Sequence, residues 1–183
     1  MKIPVVVQYR HLHLNAPDLD KLFGPGAILH AEAKLGHRGQ VVYKETVTVA
    51  GKRGSIEKVR ILGPVRGFSQ LELAPSDALA AGIEAPLRSS GDSARAGTFS
   101  VIGPSGKLTL SVGIIPVRHL HCSPAVAAEL HLAHHSFVNL LAPLGEIEEV
   151  LVRVHPTFGT ELHLTADEAA ELWLSTGDLV TLA

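Results

Sequence analysis

A short apolar strand running into a capped helix recurs four times along the chain, and this alternation restricts the fold more than any other feature. His13-Leu14-Asn15-Ala16-Pro17-Asp18 opens a helix ending near Leu22-Phe23-Gly24, and Glu72-Leu73-Ala74-Pro75-Ser76-Asp77 opens one ending at Gly82. His121-Cys122-Ser123-Pro124 opens one running to about Leu130, and His163-Leu164-Thr165-Ala166-Asp167-Glu168 opens one reaching about Leu174. Asn15, Ser123 and Thr165 are good N-caps, Pro124 suits the first helical position, and Glu168 completes a capping box with Thr165. Ser76 is the cap available to the second copy. In each copy a residue able to bind metal ends the strand: His13, Glu72, His121 and His163. A strand end fixes the direction of its side chain better than a loop does.

A second repeat lies over the first. Residues 47–66 align with 99–118 at a constant offset of 52, matching the Gly51-x-x-Gly54 turn to Gly103-x-x-Gly106 and Val65-Arg66 to Val117-Arg118. Each copy reads as strand, tight turn and strand, rich in β-branched residues. The turn glycines are expected to supply positive φ. The duplication predicts two related β-rich domains. The polar segment 88–97, Arg-Ser-Ser-Gly-Asp-Ser-Ala-Arg-Ala-Gly, reads as the loop joining the copies.

Composition narrows the class. The 183 residues suffice for one large or two small domains, 46% are hydrophobic, and aromatics are few, so aliphatic side chains must fill the core. A net charge of −2 argues against nucleic-acid partners and acidic membranes. The single cysteine, Cys122, excludes an intrachain disulfide and suits a reducing cytosol. The N-terminal apolar run is too short for a signal peptide and reads as a strand, and no segment approaches the roughly 20 apolar residues of a membrane span. The expectation is a cytoplasmic protein.

Eleven residues are histidine, and their spacing carries the chemistry. In Arg10-His11-Leu12-His13 and again in Arg118-His119-Leu120-His121, the two imidazoles are two residues apart, so in a strand they share a face while the leucine packs on the other. Each pair can reach one metal ion. Zinc takes four ligands, and catalytic zinc keeps one position for water or substrate. Each pair therefore needs a third protein ligand, and Glu72 and His163 occupy the matching pre-helix position. Arg66 is the expected phosphate-gripping group, because the planar guanidinium fork offers two parallel donors; Arg10 and Arg118 are read as supports for carboxylates around the metals. The chain holds no phosphate-binding Gly-x-x-x-x-Gly-Lys loop, no dinucleotide fingerprint and no nucleophile elbow. Cys122 is read as packing rather than nucleophile. His30, His37, His131, His134, His135 and His155 lack the repeated context and are read as structural or solvated, with His134-His135 on a helix or loop surface.

These motifs resemble those of the PduL-type phosphotransacylases, also called phosphate propanoyltransferases. The likeness runs through Arg-His-Leu-His-Leu at 10–14, Glu-Thr-Val at 45–47, residues 54–66, Gln70-Leu71-Glu72, Ser76-Asp77-Ala78, Arg88 to Asp92, Arg118 to His121 with Ser123-Pro124, Asn139, residues 150–154, Glu161-Leu162-His163 and Asp167-Glu168-Ala169. The resemblance implies a mainly β fold of two β-barrel domains capped by short α-helices, with the active site between the barrels. Residues 10–117 would form one barrel, and 1–9 together with 118–183 the other. It implies two divalent metal ions, zinc the expected species. His11, His13 and Glu72 would hold one, completed by the sulfur of coenzyme A; His119, His121 and His163 would hold the second, open to water or phosphate. Arg66 would bind the phosphoryl group. The residues contacting coenzyme A are not indicated.

The resemblance further implies a homo-oligomer, a dimer, and a place in propanediol degradation within a bacterial microcompartment, alongside shell or core proteins. Encapsulated members carry a targeting helix before the first strand, and none is visible in the nine residues before Arg10. Residues 129–149 depart from the family pattern and lack its usual Gly-Asp turn. The implied reaction is acyl-CoA, propanoyl or acetyl, plus phosphate giving acyl phosphate plus coenzyme A, by direct transfer without a protein nucleophile. The rival readings are a two-metal hydrolase that activates water and a non-enzymatic metal- or nucleotide-binding barrel.

Overall fold

The computed structural model describes residues 1–34 and 40–183; His37 lies outside the described residues. The chain forms two compact units, Met1–Tyr9 with Val117–Ala183, and Arg10–Pro116. It opens with β1 (Lys2–Gln8). Then come β2 (His11–His13), α1 (Ala16–Phe23), β3 (Ala31–Lys34), β4 (Val41–Ala50) and β5 (Ser55–Gly63). Next are β6 (Gln70–Glu72), α2 (Pro75–Ala81), β7 (Leu87–Arg88), β8 (Gly97–Ile102) and β9 (Lys107–Pro116). The rest of the chain forms β10 (His119–Cys122), α3 (Pro124–Glu129), β11 (Phe137–Ala142), β12 (Gly145–Val154), β13 (Glu161–Thr165), α4 (Ala166–Glu171) and β14 (Leu179–Leu182). None of the described helices is long and apolar enough to cross a membrane.

Each unit is a closed six-stranded barrel. In Arg10–Pro116 the ladder runs β4-β5-β2-β6-β9-β8 and returns to β4, with β3 and β7 added at its margins. In the other unit it runs β1-β13-β10-β12-β11-β14 and closes on β1. Closure removes unpaired edges. The mainly β, two-barrel architecture is as the resemblance implies, and β1 pairs with β13 and β14.

The two ladders share one pattern. β2 lies parallel to β5 and antiparallel to β6, as β10 lies parallel to β12 and antiparallel to β13. The repeating unit is a strand, a capped helix and a hairpin, and two such units make one barrel. β2-α1-β4-β5 and β6-α2-β8-β9 build the first; β10-α3-β11-β12 and β13-α4-β14 build the second. The fourth copy lacks its last strand, and β1 fills that place, parallel to β13 and antiparallel to β14.

This corrects two expectations. The repeat at offset 52 does not mark one copy per domain: its hairpins, β4-β5 and β8-β9, lie side by side in the same barrel, paired through β4 and β8. Its glycines are not set by positive φ either; among the described residues that region holds Gly24, Gly26, Gly82, Gly91, Gly145 and Gly177. Gly51, Gly54, Gly103 and Gly106 are needed because backbone comes close. A Cβ on Gly103 would stand 2.5 Å from the Leu22 carbonyl oxygen, and one on Gly54 3.3 Å from that of Ala80. Each turn thus packs on the end of the helix from the other copy, where Ser105 N–H donates to Leu22 O and Arg53 N–H to Ala81 O.

The caps follow the sequence. Asn15 Oδ1 accepts from Asp18 N–H at 2.8 Å, Ser123 Oγ from Val126 N–H, and Thr165 with Glu168 forms a complete capping box. In α2 the cap position is Ala74 and no side chain caps it; Ser76 lies inside the helix instead. α4 stops at Glu171, short of Leu174. The divergent stretch 129–149 supplies β11 and much of β12, joined by a two-residue connection between Ala142 and Gly145 with a register irregularity between Val138 and Leu140.

Each barrel has its own core. Leu12, Leu71, Val49, Val59, Ile61, Phe99 and Val101 fill one; Ile3, Val5, Leu120, Leu140, Leu162, Leu164 and Val180 fill the other. Deleting residues 1–8 should open the second barrel selectively. It removes the buried Ile3 and Val5, worth about 1.5–3 kcal/mol each, and exposes two ladder edges. In hydrogen exchange, amides of β13 and β14 should lose protection while those of β4 and β5 keep theirs; equal loss in both barrels would refute the assignment.

Candidate metal and phosphate site

The short strands β2 and β10 place the histidines. In β2, Leu12 points into its barrel core while His11 and His13 take the opposite face, and all three are buried. β10 repeats this with Leu120 between His119 and His121. The antiparallel neighbour supplies the third donor by register: His11 stands opposite Glu72 on β6, and His119 stands opposite His163 on β13. Two groups result. His11, His13 and Glu72 each bring a ligand atom within 4.8 Å of the others, as do His119, His121 and His163. Glu72 and His13 end their strands as expected, whereas β10 and β13 run on past His121 and His163.

The donor chemistry fits a cation in both groups. A carbonyl oxygen only accepts, so the 3.1 Å contact from His13 Nδ1 to Leu62 O fixes the proton on Nδ1 and leaves the Nε2 lone pair for a metal. His119 Nδ1 donates in the same way to Val117 O at 2.8 Å. His13 is held well below the ordinary imidazole pKa by burial, then by His11 and by the Arg66 guanidinium, with the Leu62 hydrogen bond opposing. It is therefore neutral, the form that coordinates. His11 Nε2 lies 3.5 Å from Glu72 Oε2; donors held at zinc bond lengths in a tetrahedron stand about 3.3–3.4 Å apart. In the second group the His119 and His163 rings stack at 4.9 Å, and His121 lies 4.6 and 4.5 Å from them. Three buried imidazoles converging on one another make a poor apolar core and a good zinc ligand set.

Arg66 lies beyond the end of β5 rather than on a strand, but it is not loose. Its backbone N–H donates to Leu14 O at 2.9 Å and it bridges to Asn15, directly after the His13 strand. Its guanidinium is close enough to depress the His13 pKa. Arg10 donates to Asp77 Oδ1 at 3.1 Å, a partly exposed pair at α2, so the carboxylate it supports is that of α2 and not Glu72. Arg118 lies between β9 and β10, where its carbonyl accepts from Leu151 N–H.

Cys122 is fully buried and burial raises its thiol pKa, which disfavours the thiolate. Of the remaining described histidines, His30 pairs with Glu45 at 2.7 Å on the surface. His134 lies in the turn after α3, against His135, and its Nδ1 accepts from Val154 N–H. His131 and His135 adopt positive φ in that turn, and His155 contacts Thr157. None of these joins either group.

Three site neighbours were not singled out from the sequence. Gln70, opposite His13, is fully buried and its Oε1 accepts from Gly91 N–H and Ser90 Oγ, tying the 88–92 segment to the first group. Phe158 stacks on His121 at 3.8 Å. Glu161, opposite His121, places Oε2 3.4 Å from His163 Nε2. Strand alternation was a usable signal for Gln70 and Glu161, each two residues before a proposed ligand; Phe158 comes from a turn and gave none.

Residues 4–175 match the model of the family described as phosphate propanoyltransferase. The chain is 39% identical over 185 residues to the phosphate propanoyltransferase of Rhodopseudomonas palustris, covering 99% of this chain and 82% of that protein. It is 40% identical to that of Thermotoga maritima, over 97% of this chain and 87% of the relative, and 38% identical to that of Rhodobacter capsulatus, over 97% and 85%. With a family model spanning nearly its whole length and relatives similar end to end, the chain belongs to the phosphate propanoyltransferase family.

Proposed function

We propose that the protein interconverts a short-chain acyl-CoA and phosphate with the acyl phosphate and coenzyme A, propanoyl-CoA being the first substrate to test and acetyl-CoA the second. The observation that carries this reading is the position of Arg66 beside the first metal-suited group. Its backbone is held by Leu14 and Asn15, directly after the His13 strand, and its charge is felt at His13, so its guanidinium would offer a phosphate dianion a bidentate partner next to the ligand set. Family membership supplies the reaction class; Arg66 would supply the grip on phosphate.

In this reading a phosphate oxygen attacks the thioester carbonyl carbon, the carbon–sulfur bond breaks, and coenzyme A leaves as its thiolate. Arg66 orients the phosphate and offsets its charge, and its tethered backbone keeps the fork in place. Gln70 holds the 88–92 segment against the same region. His11, His13 and Glu72 would hold one divalent ion and His119, His121 and His163 a second, zinc being the species their donors suit. When bound, such ions supply Lewis acidity that stabilises a thiolate and screens phosphate charge. Cys122, buried and with a raised thiol pKa, takes no part.

A thiol-release assay at varied phosphate tests the reaction. Release should require phosphate and yield acyl phosphate in equal amount. Release without phosphate would favour a hydrolase, and no release would favour a binding module.

Metal analysis should find about two divalent ions per chain. Chelation should abolish release, and His11→Ala and His119→Ala should each lose activity and one ion while the far-ultraviolet circular dichroism is unchanged. A metal-free preparation with full activity would sink the mechanism.

Arg66→Lys keeps the charge but loses the fork. Turnover should fall about 10²–10³-fold, the scale of removing one transition-state donor, with metal content intact. Unchanged phosphate dependence would return Arg66 to a structural role.

A further inference from the structure

The two metal-suited groups are built to one plan, yet their carboxylates differ in position. On β6 the sequence is Gln70-Leu71-Glu72, with Glu72 opposite His11 and Gln70 opposite His13. On β13 it is Glu161-Leu162-His163, with His163 opposite His119 and Glu161 opposite His121. Glu161 therefore occupies the place of Gln70 and not that of Glu72. Gln70 turns its amide to the 88–92 segment, whereas Glu161 keeps its carboxylate at His163, Oε2 to Nε2, at 3.4 Å.

A ligating imidazole coordinates through one nitrogen and gives the proton of the other to an acceptor, which fixes ring and tautomer. Two of the histidines do so with backbone carbonyls: His13 Nδ1 with Leu62 O and His119 Nδ1 with Val117 O. In both, the nitrogen left for a metal is Nε2. For His163 the carboxylate of Glu161 lies instead at the other nitrogen, Nε2, at 3.4 Å. Glu161 also lies outside the set of mutually close donors formed by His119, His121 and His163, so it is placed to act on a ligand rather than to be one.

We propose that Glu161 is a positioning residue for the histidine-only group: its carboxylate accepts the Nε2 proton of His163, so that His163 presents Nδ1 to the ion while His119 presents Nε2. The carboxylate also places a negative charge beside a ligand set made of histidines alone, two residues along the strand from the place that Glu72 takes in the first group. At 3.4 Å the contact is about 0.5 Å longer than an ordinary N–H···O bond, and the proposal requires it to close to hydrogen-bond length when the ion is bound. This inference rests on the metal reading above and is tested by metal and spectroscopic readouts that do not depend on acyl transfer.

The experiment uses full-length, zinc-loaded protein with ¹⁵N-labelled histidine. In the wild type, long-range ¹⁵N–¹H correlation should show His163 protonated on Nε2 and metal-bound through Nδ1, and His119 the reverse. Graded chelator competition should show one of the two ions released about 10–100-fold more readily from Glu161→Ala, the scale of losing a carboxylate behind a ligating histidine. Glu161→Gln, whose amide oxygen still accepts, should fall between Ala and wild type, and the other ion should be unaffected in both variants. A His163 bound through Nε2, or both ions retained as in wild type by Glu161→Ala, would overturn the proposal while leaving the metal reading intact. Wild-type protein that binds no ion at the histidine triad would remove both. Because Glu161 is partly exposed at the start of β13, and the Gln variant is nearly isosteric, loss of folding is not the expected outcome; unchanged circular dichroism checks it.

Discussion

The register of two very short antiparallel pairs, β2 against β6 and β10 against β13, is the constraint on which the rest depends. Each pair joins only three residues of one strand to three of the other, yet it decides which side chains meet. Side chains alternate across a strand, so a slip of one residue would turn Leu12 and Leu120 out of their cores and drive the histidines in. The buried leucines oppose that slip directly: Leu12 faces Leu71, and Leu120 faces Leu162, all fully buried. The apolar pair in the middle of each ladder thus sets the polar pairs on either side of it.

The scaffold around each pair is the same unit used twice. A strand delivers ligands, a capped helix turns the chain away, and a hairpin closes half a barrel. Helix ends are where the copies interlock, through the Gly-x-x-Gly turns that no larger residue could occupy without meeting a carbonyl. In the C-terminal barrel the last hairpin is completed by β1, the far end of the chain in sequence. The fold therefore rests on long-range pairing, with little that a local segment could form alone.

On this common frame the chemistry diverges. One group combines two imidazoles with a carboxylate; the other has three imidazoles, with a carboxylate two residues before His163 on the same strand. The first has a cation beside it in Arg66. The two groups thus differ in composition: the first includes a carboxylate among its donors, and the second consists of imidazoles with Glu161 beside one of them. Burial acts most clearly on His13: with little water near it, that imidazole stays neutral and its lone pair stays available.

Much of this was legible in the sequence. The His-Leu-His alternation, the caps at Asn15, Ser123 and Thr165, and the strand–helix alternation are local signals, set by two-residue periodicity and by the need to satisfy the first backbone N–H groups of a helix. They put His13 and Glu72 at the ends of their strands, where β2 and β6 do end, but not His121 and His163, past which β10 and β13 continue. The meaning of the offset-52 repeat was not legible, because similarity between hairpins says nothing of whether they pair with each other, and β4 pairs with β8 only through tertiary closure. Nor was the cause of the turn glycines, since close approach of a distant helix end leaves no trace in a turn's own sequence. Glu161 and Gln70 were visible as strand neighbours of ligands, but only the register showed that one faces a histidine and the other a loop. The sequence by itself determined which residues could donate and on which face of a strand they lie, because alternation is a property of the local backbone. The tertiary structure decided which donors meet and which proton each imidazole gives away, because those depend on contacts between segments that pairing alone brings together.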